Sequence, residues 1–389
     1  MISSLYSVTG QKTGGNARYN SIAMAFKELG FRVNSLALKA NQDFSDNSSQ
    51  IEEYSFGTSS VQIGASALID MSPRFIACLK RVLITIKPRI VVVSSPPGLI
   101  SARFCQILSD QKIPIIYDAA NVERAVFMRI KEQKASIAMR IFSMDAAQSF
   151  IEYFVIKIAD YIFCTGQSDI DLFKNKYHVD DRKLIRVPSS RMQAKILSSK
   201  ERNNLRTRLG IRDDDFAIIF HGSYSHPPNR EAFDLMRQEL APSFLETNEN
   251  IKFFFFGTSA PIVHDKNFFS LGQVNEIDPI LSSMDLAIIP LNWGGGTKLK
   301  TLDYLANGLP IATTSEGITG LPLIMGTDYV KVDSLNQFHD CILELYHSSA
   351  YRLNLGENAR KRFTSQLSNI ETRESLRKFI SSVGGLDNE

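Results

Sequence analysis

The sequence predicts an α/β protein of two domains, each built on a doubly wound, Rossmann-like parallel sheet. Three observations lead to this fold class. The chain has 389 residues, more than one ordinary hydrophobic core accommodates. It opens with a strand, a glycine loop, a helix and a second strand, the start of a doubly wound sheet. A second array of the same kind begins at Phe216. We therefore predict domains over residues 1–188 and 189–389.

The composition is that of an ordinary globular protein, with 44% hydrophobic and 22% charged residues. The net charge of +3 is too small to indicate nucleic acid as a partner. It is unevenly divided, with +6 over residues 1–190 and −3 over 191–389. The basic first half suits an anionic surface or a lipid-linked substrate, and scattered lysines give the same excess by chance.

The cysteines predict a reducing compartment. All four are dispersed among apolar neighbours without Cys-x-x-Cys spacing, as expected of buried reduced thiols. No basic segment followed by an apolar run begins the chain, so we expect no signal peptide and a cytoplasmic location. The most apolar long stretch, residues 150–164, carries Glu152, Lys157 and Asp160, which excludes an ordinary transmembrane helix.

The elements of the first domain follow from hydrophobic periodicity and glycine signals. We predict a strand over Ile2–Val8, a glycine loop ending at Gly15, a helix over Asn16–Leu29 and a strand over Arg32–Leu38. The polar stretch 40–60 is predicted to be a loop. Further strands are predicted at Arg89–Ser94, Ile113–Tyr117, Asp160–Thr165 and Leu184–Pro188. A helix is predicted between the first two of these, over about Leu99–Asp110.

Residues 124–158 are predicted to be helical, with basic residues interleaved among large apolar ones. This pattern is typical of an interfacial helix on anionic lipid, and equally of a core helix with one wet face. In the second domain, 189–209 is polar and helical, and the region from Leu335 is helical. The predicted strands of that domain are Phe216–Gly222, Ile251–Gly257, Phe268–Val274 and Asp285–Pro290.

The most informative stretch is Leu291–Pro310, a glycine turn followed by a helix. Gly294–Gly296 have no Cβ, so a ligand can approach the backbone there. Thr297 is the expected N-cap, and Lys298 and Lys300 lie in the first turn, where cations oppose the helix dipole by roughly 0.3–1 kcal/mol. An anion between these lysines and the free N–H groups explains the pattern. The alternative is a flexible turn followed by two solvated lysines.

Three segments here resemble the donor-binding signature of the family 4 glycosyltransferases, in its glycine-rich subgroup: Gly294–Lys300, Leu302–Pro310 and Thr313–Leu321. The resemblance covers nearly the whole chain. It implies the B-type glycosyltransferase architecture, in which two Rossmann-like domains face a cleft. It also implies transfer of a sugar from a nucleotide-diphosphate sugar to an acceptor hydroxyl, with retention of the anomeric configuration.

The resemblance also implies roles for individual residues. The loop at Gly14 and Gly15 approaches the donor phosphate and the acceptor, although paired glycines in such loops are often only turn formers. The residues expected at the donor diphosphate are Gly15, Gly222, Gly295, Gly296, Thr297 and Lys298. Those expected at the nucleotide base and ribose are Gln273, Val274 and Asp303.

The segment Tyr117–Glu123 resembles a family motif whose histidine reaches the donor sugar, but Ala120 stands at the histidine position. Either Asn121 or Glu123 takes over the contact, or the donor, such as a 6-deoxy sugar, offers nothing to bind there. Asn121 and Glu123 are therefore sugar or acceptor candidates, together with Gly14. Alternatively, Asp118 and Asn121 cap the next helix.

The sequence departs from the family pattern in its carboxylates. The commonest form has two glutamates eight positions apart, and here Gly295 and Asp303 stand at these positions. The shorter carboxylate can still accept ribose hydroxyls. An arginine and a lysine that usually hold the diphosphate are not evident after the segment Ser223–Arg230, so Lys298 is expected to carry more of that role. His221 and His226 have no apparent carboxylate partner and are expected to be structural.

No cofactor and no metal are expected. Asp169 and Asp171 have Asp-x-Asp spacing, but they fall at a predicted helix start and are expected to cap it. No catalytic base is assigned. The expected partners are a nucleotide-sugar donor and a glycan or lipid-linked acceptor, in polysaccharide or glycolipid synthesis, with peripheral membrane contact through the first domain. Two alternatives stay open: a nucleotide-sugar 2-epimerase and a non-catalytic nucleotide-sugar-binding subunit.

Overall fold

The computed structural model describes residues 2–3, 14–38, 52–56, 70–119, 151–195, 197–246, 250–294 and 298–383. The chain forms two compact units. Unit 1 comprises residues 1–190 together with 369–389, and unit 2 comprises 191–368. The units thus divide two residues after the predicted boundary, and the last helix belongs to the first unit.

Unit 1 is built on a parallel sheet whose described strands lie in the order β3-β2-β1-β4-β5-β6-β7. The register sets Val91 of β4 opposite Ile115 of β5. The central strands are buried on both faces, which is why they read as continuous apolar runs. Their bounds are β1 Ile2–Ser3, β2 Asn34–Leu38, β3 Glu52–Phe56, β4 Val91–Val93, β5 Ile115–Ala119, β6 Tyr161–Cys164 and β7 Leu184–Arg186.

Helices of unit 1 cover this sheet. They are α1 Gly14–Glu28, α2 Pro73–Ile86, α3 Pro96–Leu108, α4 Gln167–Tyr177 and, from the end of the chain, α11 Asn369–Ser382. Residues 151–158 are helical as well. Helix α11 packs on α1 and places Phe379 edge-on to the rings of Tyr161 and Phe163 of β6. The last helix therefore completes the core of the first unit.

Unit 2 repeats the design, with described strands in the order β10-β11-β9-β8-β12-β13-β14. All pairs are parallel except β10 with β11. The strands are β8 Phe216–His221, β9 Ile251–Phe256, β10 Ile262–Asp265, β11 Phe268–Leu271, β12 Leu286–Ile289, β13 Ile311–Thr313 and β14 Val330–Lys331. The helices are α5 Ser199–Arg208, α6 Pro227–Leu235, α7 Ile277–Ser283, α8 Leu299–Ala306, α9 Leu335–His347 and α10 Ser349–Gln366.

Both sheets reverse their winding direction once, between β1 and β4 in unit 1 and between β8 and β12 in unit 2. In open α/β sheets, ligands bind beyond the carboxyl ends of the strands at such a reversal. In unit 2 these ends lead into Gly222 and into the glycine turn before α8. The topology therefore places the two glycine segments of the predicted donor site beside each other.

The fold differs from the prediction in places where the hydrophobic signal is weak. The predicted loop 40–60 contains an edge strand, β3, whose sequence Glu-Glu-Tyr-Ser-Phe carries two charges, a common feature of edge strands. Strand β10 is likewise an edge strand, which the sequence analysis did not predict. Of the long predicted helix 124–158, residues 151–158 are described and helical.

All four cysteines lie in the described part of the chain as free thiols. Cys105, Cys164 and Cys341 are buried free thiols, and Cys78 is partly buried. Burial raises the pKa of each of the four thiols, that of Cys341 to about 12. Among the described residues, no helix is both long and apolar enough to span a bilayer.

Helices α8 and α10 meet through two glycines. A Cβ added at Gly356, in the middle of α10, would lie 2.4 Å from the carbonyl oxygen of Gly308. Alanine normally stabilises a helix relative to glycine by about 1 kcal/mol. Here the contact is with backbone, which cannot give way easily, so the usual gain is reversed.

We predict that Gly356→Ala lowers the free energy of unfolding by about 1–3 kcal/mol, the usual cost of overpacking. Urea denaturation followed by circular dichroism measures this change. Glu357→Ala, an exposed neighbour on the same helix, is the control and should leave stability within about 0.5 kcal/mol. A Gly356→Ala protein as stable as wild type would show that α8 and α10 are not held this closely.

Candidate functional site

Glycines close the carboxyl ends of three neighbouring strands in unit 2. β8 runs into Gly222, β9 into Gly257 and β11 into Gly272. A Cβ at Gly257 would lie 1.9 Å from the carbonyl oxygen of Gly222, and one at Gly222 would lie 2.7 Å from Nδ2 of Asn229. There is therefore no room for a side chain at 222 or 257, and only backbone lines the ends of these strands. Gly222, a predicted site residue, lies at this edge.

Lys298 immediately precedes α8 and occupies its N-cap position, so the prediction that Thr297 is the N-cap and Lys298 lies in the first turn is wrong. Its side chain is buried, 7% exposed, and its Nζ lies 2.6 Å from Oε1 of Glu316. A Cβ at Gly294 would be 2.9 Å from the same Nζ, so the first glycine of the turn makes room for the ammonium. The predicted diphosphate lysine is therefore held by a carboxylate, Glu316, to which the sequence analysis gave no role.

Lys300 is the second residue of α8, and its side chain has different partners from that of Lys298. Its Nζ donates to Oδ1 of Asn229 at 2.5 Å and sits 4.2 Å from the ring centroid of Phe220. No carboxylate of the described residues lies within ion-pair distance of it. Burial lowers the pKa of Lys300 well below its usual range, the charge of Lys298 adds to this, and the charge of Asp303 opposes it. Among the described residues, the charged form of Lys300 is thus stabilised by no carboxylate in direct contact.

Asn229 is the residue that ties this cation to the β8 loop. Its Nδ2 donates to the carbonyl oxygen of Ser223 at 2.9 Å while its Oδ1 accepts from Lys300. The side chain is buried, at 7% exposure. Partial desolvation and the charges of Lys300 and Lys298 also lower the pKa of His226, at the start of α6. The loop therefore faces a concentration of positive charge.

Asp303 is held by two side chains that lie far before it in the sequence, Arg191 and His221. Its Oδ1 accepts from Nη1 of Arg191 at 2.7 Å, and its Oδ2 lies 3.1 Å from Nε2 of His221. The same arginine makes two bonds to Asp278, at 2.6 and 2.7 Å. Both carboxylate oxygens of Asp303 are thereby oriented, and each keeps a lone pair for a hydroxyl donor. The expectation that His221 has no carboxylate partner is wrong.

The hydrogen bonds around His221 define its protonation. The hydroxyl of Tyr304 accepts from the backbone N–H of His221 at 2.9 Å, so its own proton is directed to Nδ1, also at 2.9 Å. Nδ1 is then an acceptor, and Nε2–H donates to Asp303. Burial lowers the pKa of His221, against the opposing effect of Asp303, while the charges of Lys300 and Arg191 act with burial. The imidazole is therefore neutral near pH 7.

The remaining predicted site residues divide into three groups. Gly14 and Gly15 are the first two residues of α1, rather than part of the loop before it. Gln273 and Val274 follow Gly272 after β11, with Gln273 exposed and Val274 packed against the core of unit 2. The others lie outside the described residues: Asn121, Glu123, Gly295, Gly296 and Thr297.

In unit 1, the strand ends near α1 are held by a buried ion pair. Arg18 of α1 lies 2.6 Å from Oδ1 of Asp118 in β5, and Ser94 donates to the other oxygen of that carboxylate. Arg18 also donates to the carbonyl oxygen of Val187 and to Ser189. Asp118 therefore joins α1 to the sheet, and the alternative prediction that it caps the next helix falls on residues outside the described ranges.

The Asp-x-Asp pair also has a local explanation. Asp169 accepts from the backbone N–H of Thr165 at 3.2 Å and from the hydroxyl of the same residue, and Asp171 accepts from Gln167 at 2.9 Å. Both carboxylates thus stabilise the start of α4. In the described ranges, no three histidine, cysteine or acidic side chains are grouped as metal ligands. The absence of a metal cofactor stays a prediction.

Sequence reasoning missed four contributors to the unit 2 site: Asn229, Glu316, Arg191 and Asp278. The first two lie inside segments that resemble the family, Ser223–Arg230 and Thr313–Leu321, so the segments were found but the residues were not assigned. Arg191 lies 112 positions from Asp303 and carries no motif. Only the folded chain brings it to the site.

Comparison with known proteins supports the fold and the domain. Residues 215–348 match the family model described as Glycosyl transferases group 1. No curated protein matches the sequence. The structure of HepE from Anabaena in complex with UDP-glucose matches at a TM-score of 0.71 and 11% identity, with 98% of each chain covered.

Two further structures match over nearly their whole length. Sucrose-phosphate synthase from Thermosynechococcus elongatus has a TM-score of 0.71 at 12% identity, covering 99% of this chain and 98% of that one. WaaG, a glycosyltransferase involved in lipopolysaccharide biosynthesis, has a TM-score of 0.68 at 15% identity, with 99% of each covered. Likeness at such identities shows the fold alone. The predicted B-type glycosyltransferase fold is confirmed, and the domain match supports the prediction of a transferase.

The hydrogen bond from Tyr304 predicts the titration of His221. We expect Tyr304→Phe to raise the pKa of His221 towards its usual value of about 6.5, because Nδ1 loses its donor and can take a proton beside Asp303. An NMR titration of the imidazole measures the pKa, with Tyr351→Phe, elsewhere in unit 2, as the control. An unchanged pKa in Tyr304→Phe would contradict the assigned hydrogen bond.

The same group predicts a dependence of stability on pH. The folded-state pKa of His221 lies below that of the unfolded chain, so the unfolded state binds the proton more readily. The contribution of His221 is present above about pH 6.5 and is lost as the pH falls below it. Denaturation at several pH values should show this loss, and it should shrink in Tyr304→Phe relative to Tyr351→Phe.

Proposed function

We propose that this chain, with a group 1 glycosyltransferase domain on a B-type fold, transfers a sugar from a nucleoside-diphosphate sugar to an acceptor hydroxyl. The observation that carries the proposal is the ammonium of Lys300. It lies at the carboxyl end of the unit 2 sheet, where the winding reverses, and has no carboxylate partner in the described part of the chain. A diphosphate supplies the missing negative charge.

The donor diphosphate is proposed to lie between the glycine edge at Gly222 and the start of α8. Lys300 and Lys298 supply positive charge, and the ion pair with Glu316 keeps Lys298 in place. As the bond between sugar and diphosphate breaks, negative charge develops on the leaving group, and preorganised cations stabilise it more than they stabilise the ground state. We propose that no metal is needed for this step and that Gly15, Gly295, Gly296 and Thr297 contribute backbone contacts.

The nucleoside is proposed to lie on the side of Asp303. Its carboxylate is oriented by Arg191 and His221 and accepts the ribose hydroxyls through its remaining lone pairs. Gln273 and Val274 are proposed to contact the base. HepE was solved with UDP-glucose, which makes a UDP-sugar the first donor to test here.

The finer assignments are also proposals. We place the chain among the family 4 enzymes with the glycine-rich signature, acting with retention of configuration on a glycan or lipid-linked acceptor in cell-envelope synthesis. Gly14, Asn121 and Glu123 are the proposed sugar or acceptor contacts. The protein is proposed to act in the cytoplasm, in peripheral contact with a membrane through its first unit.

Lys300→Met tests the proposal. Methionine keeps about the length of the side chain and removes the charge. Loss of a buried charge offsets loss of the hydrogen bond to Asn229, so the unliganded protein should still fold, which a thermal melt verifies. Nucleotide-sugar affinity should fall about 10–100-fold, because a hydrogen bond to a charged group contributes roughly 1.5–3 kcal/mol. Thermal-shift titration with UDP-, GDP- and dTDP-sugars measures the affinity, and release of nucleoside diphosphate measures turnover.

The matched control is Lys200→Met, an exposed lysine of the same unit on α5. It should bind the donor as wild type does. Binding that survives Lys300→Met would refute the placement of the diphosphate. Binding by wild type without any release of nucleoside diphosphate, even with membrane extract as the source of acceptor, would favour the non-catalytic binding subunit.

A further inference from the structure

One surface of unit 1 exposes large apolar side chains on a helix. Phe104, Ile107 and Leu108 follow i, i+3, i+4 spacing, so they share one face of α3. All three are exposed, and Ile107 is 70% exposed. The opposite face of the helix buries Leu99, among others, in the core of unit 1. A helix with apolar residues on both its buried and its open face requires an explanation.

The neighbouring helix, α2, continues the same surface. It packs against α3, and Nε2 of Gln111 lies 3.5 Å from the carbonyl oxygen of Leu83, which brings the carboxyl ends of the two helices together. Ile84, at that end of α2, is 48% exposed. The charge of Lys80 on α2 acts on Cys105 of α3. We call the exposed faces of α2 and α3, with the turns that follow them, the α2–α3 surface.

The same two helices and the turns after them carry basic side chains that form no ion pair among the described residues. Between residues 70 and 119, the exposed acidic residue is Asp110, because Asp70 and Asp118 are buried. Five basic side chains of this stretch form no ion pair within the described structure: Arg74, Lys80, Arg81, Lys87 and Lys112. Four of the five are exposed, and Lys80 is partly buried. The α2–α3 surface is therefore strongly basic as well as apolar.

We propose that the α2–α3 surface docks on an anionic lipid bilayer. Apolar side chains insert at the boundary between headgroups and acyl chains, while lysine and arginine side chains attract acidic headgroups. Charge complementarity selects this occupant over a second copy of the chain. A two-fold interface through the same surface would set two groups of unpaired cations against each other.

This surface differs from the segment that the sequence analysis considered as an interfacial helix, residues 124–158. It does not involve the donor site, which lies in unit 2. Membrane docking and sugar transfer can therefore be tested separately. A variant that loses docking should keep its affinity for the nucleotide sugar, and Lys300→Met should keep docking.

Vesicle sedimentation tests the proposal with the full chain. Wild type should bind vesicles of phosphatidylcholine with about one third phosphatidylglycerol, and bind pure phosphatidylcholine at least about tenfold more weakly. Binding should also fall as salt is raised. Failure to bind the acidic vesicles would overturn the proposal.

Two double variants separate the apolar and the cationic contributions. Phe104→Ser with Ile107→Ser, and Arg81→Glu with Lys87→Glu, should each weaken binding to the acidic vesicles at least about tenfold. All four residues are exposed, so the fold should survive, and a thermal melt verifies this. Binding equal to wild type in both variants would overturn the proposal.

Matched controls come from unit 2. Leu353→Ser removes a side chain that is 67% exposed on α10, and Lys200→Glu reverses an exposed charge on α5. Both should bind vesicles as wild type does. Analytical ultracentrifugation addresses the other occupant. A wild-type dimer that Phe104→Ser with Ile107→Ser dissociates, without vesicle binding, would assign the surface to a second copy and overturn the proposal.

Discussion

Two ammonium groups held at the start of one short helix are the interaction on which the unit 2 site depends. Lys298 and Lys300 oppose the dipole of α8 and repel each other, and neither cost is small in a partly buried place. Glu316 compensates the first lysine through an ion pair. Lys300 instead donates a hydrogen bond to the neutral amide of Asn229 and lies over the ring of Phe220. The site is thus assembled with one cation left for an anionic ligand.

Much of this could be predicted from the sequence, because glycine turns, buried strands and helix starts have local signals. The two doubly wound units were predicted in this way, and so were the segments from which we propose that the donor site is built. What the sequence did not reveal are pairings between distant residues. His221 and Asp303 lie 82 positions apart, and the carboxylate that orients Lys298 lies beyond another strand. Edge strand β3 was missed because its charges hide the alternation on which strand prediction depends.

The two units use the same architecture with different electrostatics. At the strand ends of unit 1, Arg18 is buried against Asp118 and makes further bonds to Val187 and Ser189, so its charge is satisfied within the protein. At the corresponding edge of unit 2, Lys300 has no such carboxylate among the residues that the structure describes. A buried, compensated pair fixes structure, whereas Lys300 is where we propose that the charge of a diphosphate is bound.

The connectivity of the units has a consequence for synthesis. Unit 2 is inserted into unit 1, and Arg191 and Ser368, at the two ends of the insertion, form a β-bridge. Domains generally fold in the order in which the ribosome releases them. Here the inserted unit is complete first, while unit 1 must wait for α11, whose Phe379 packs on β6. The half of the protein that begins the chain is therefore the last to become a finished domain.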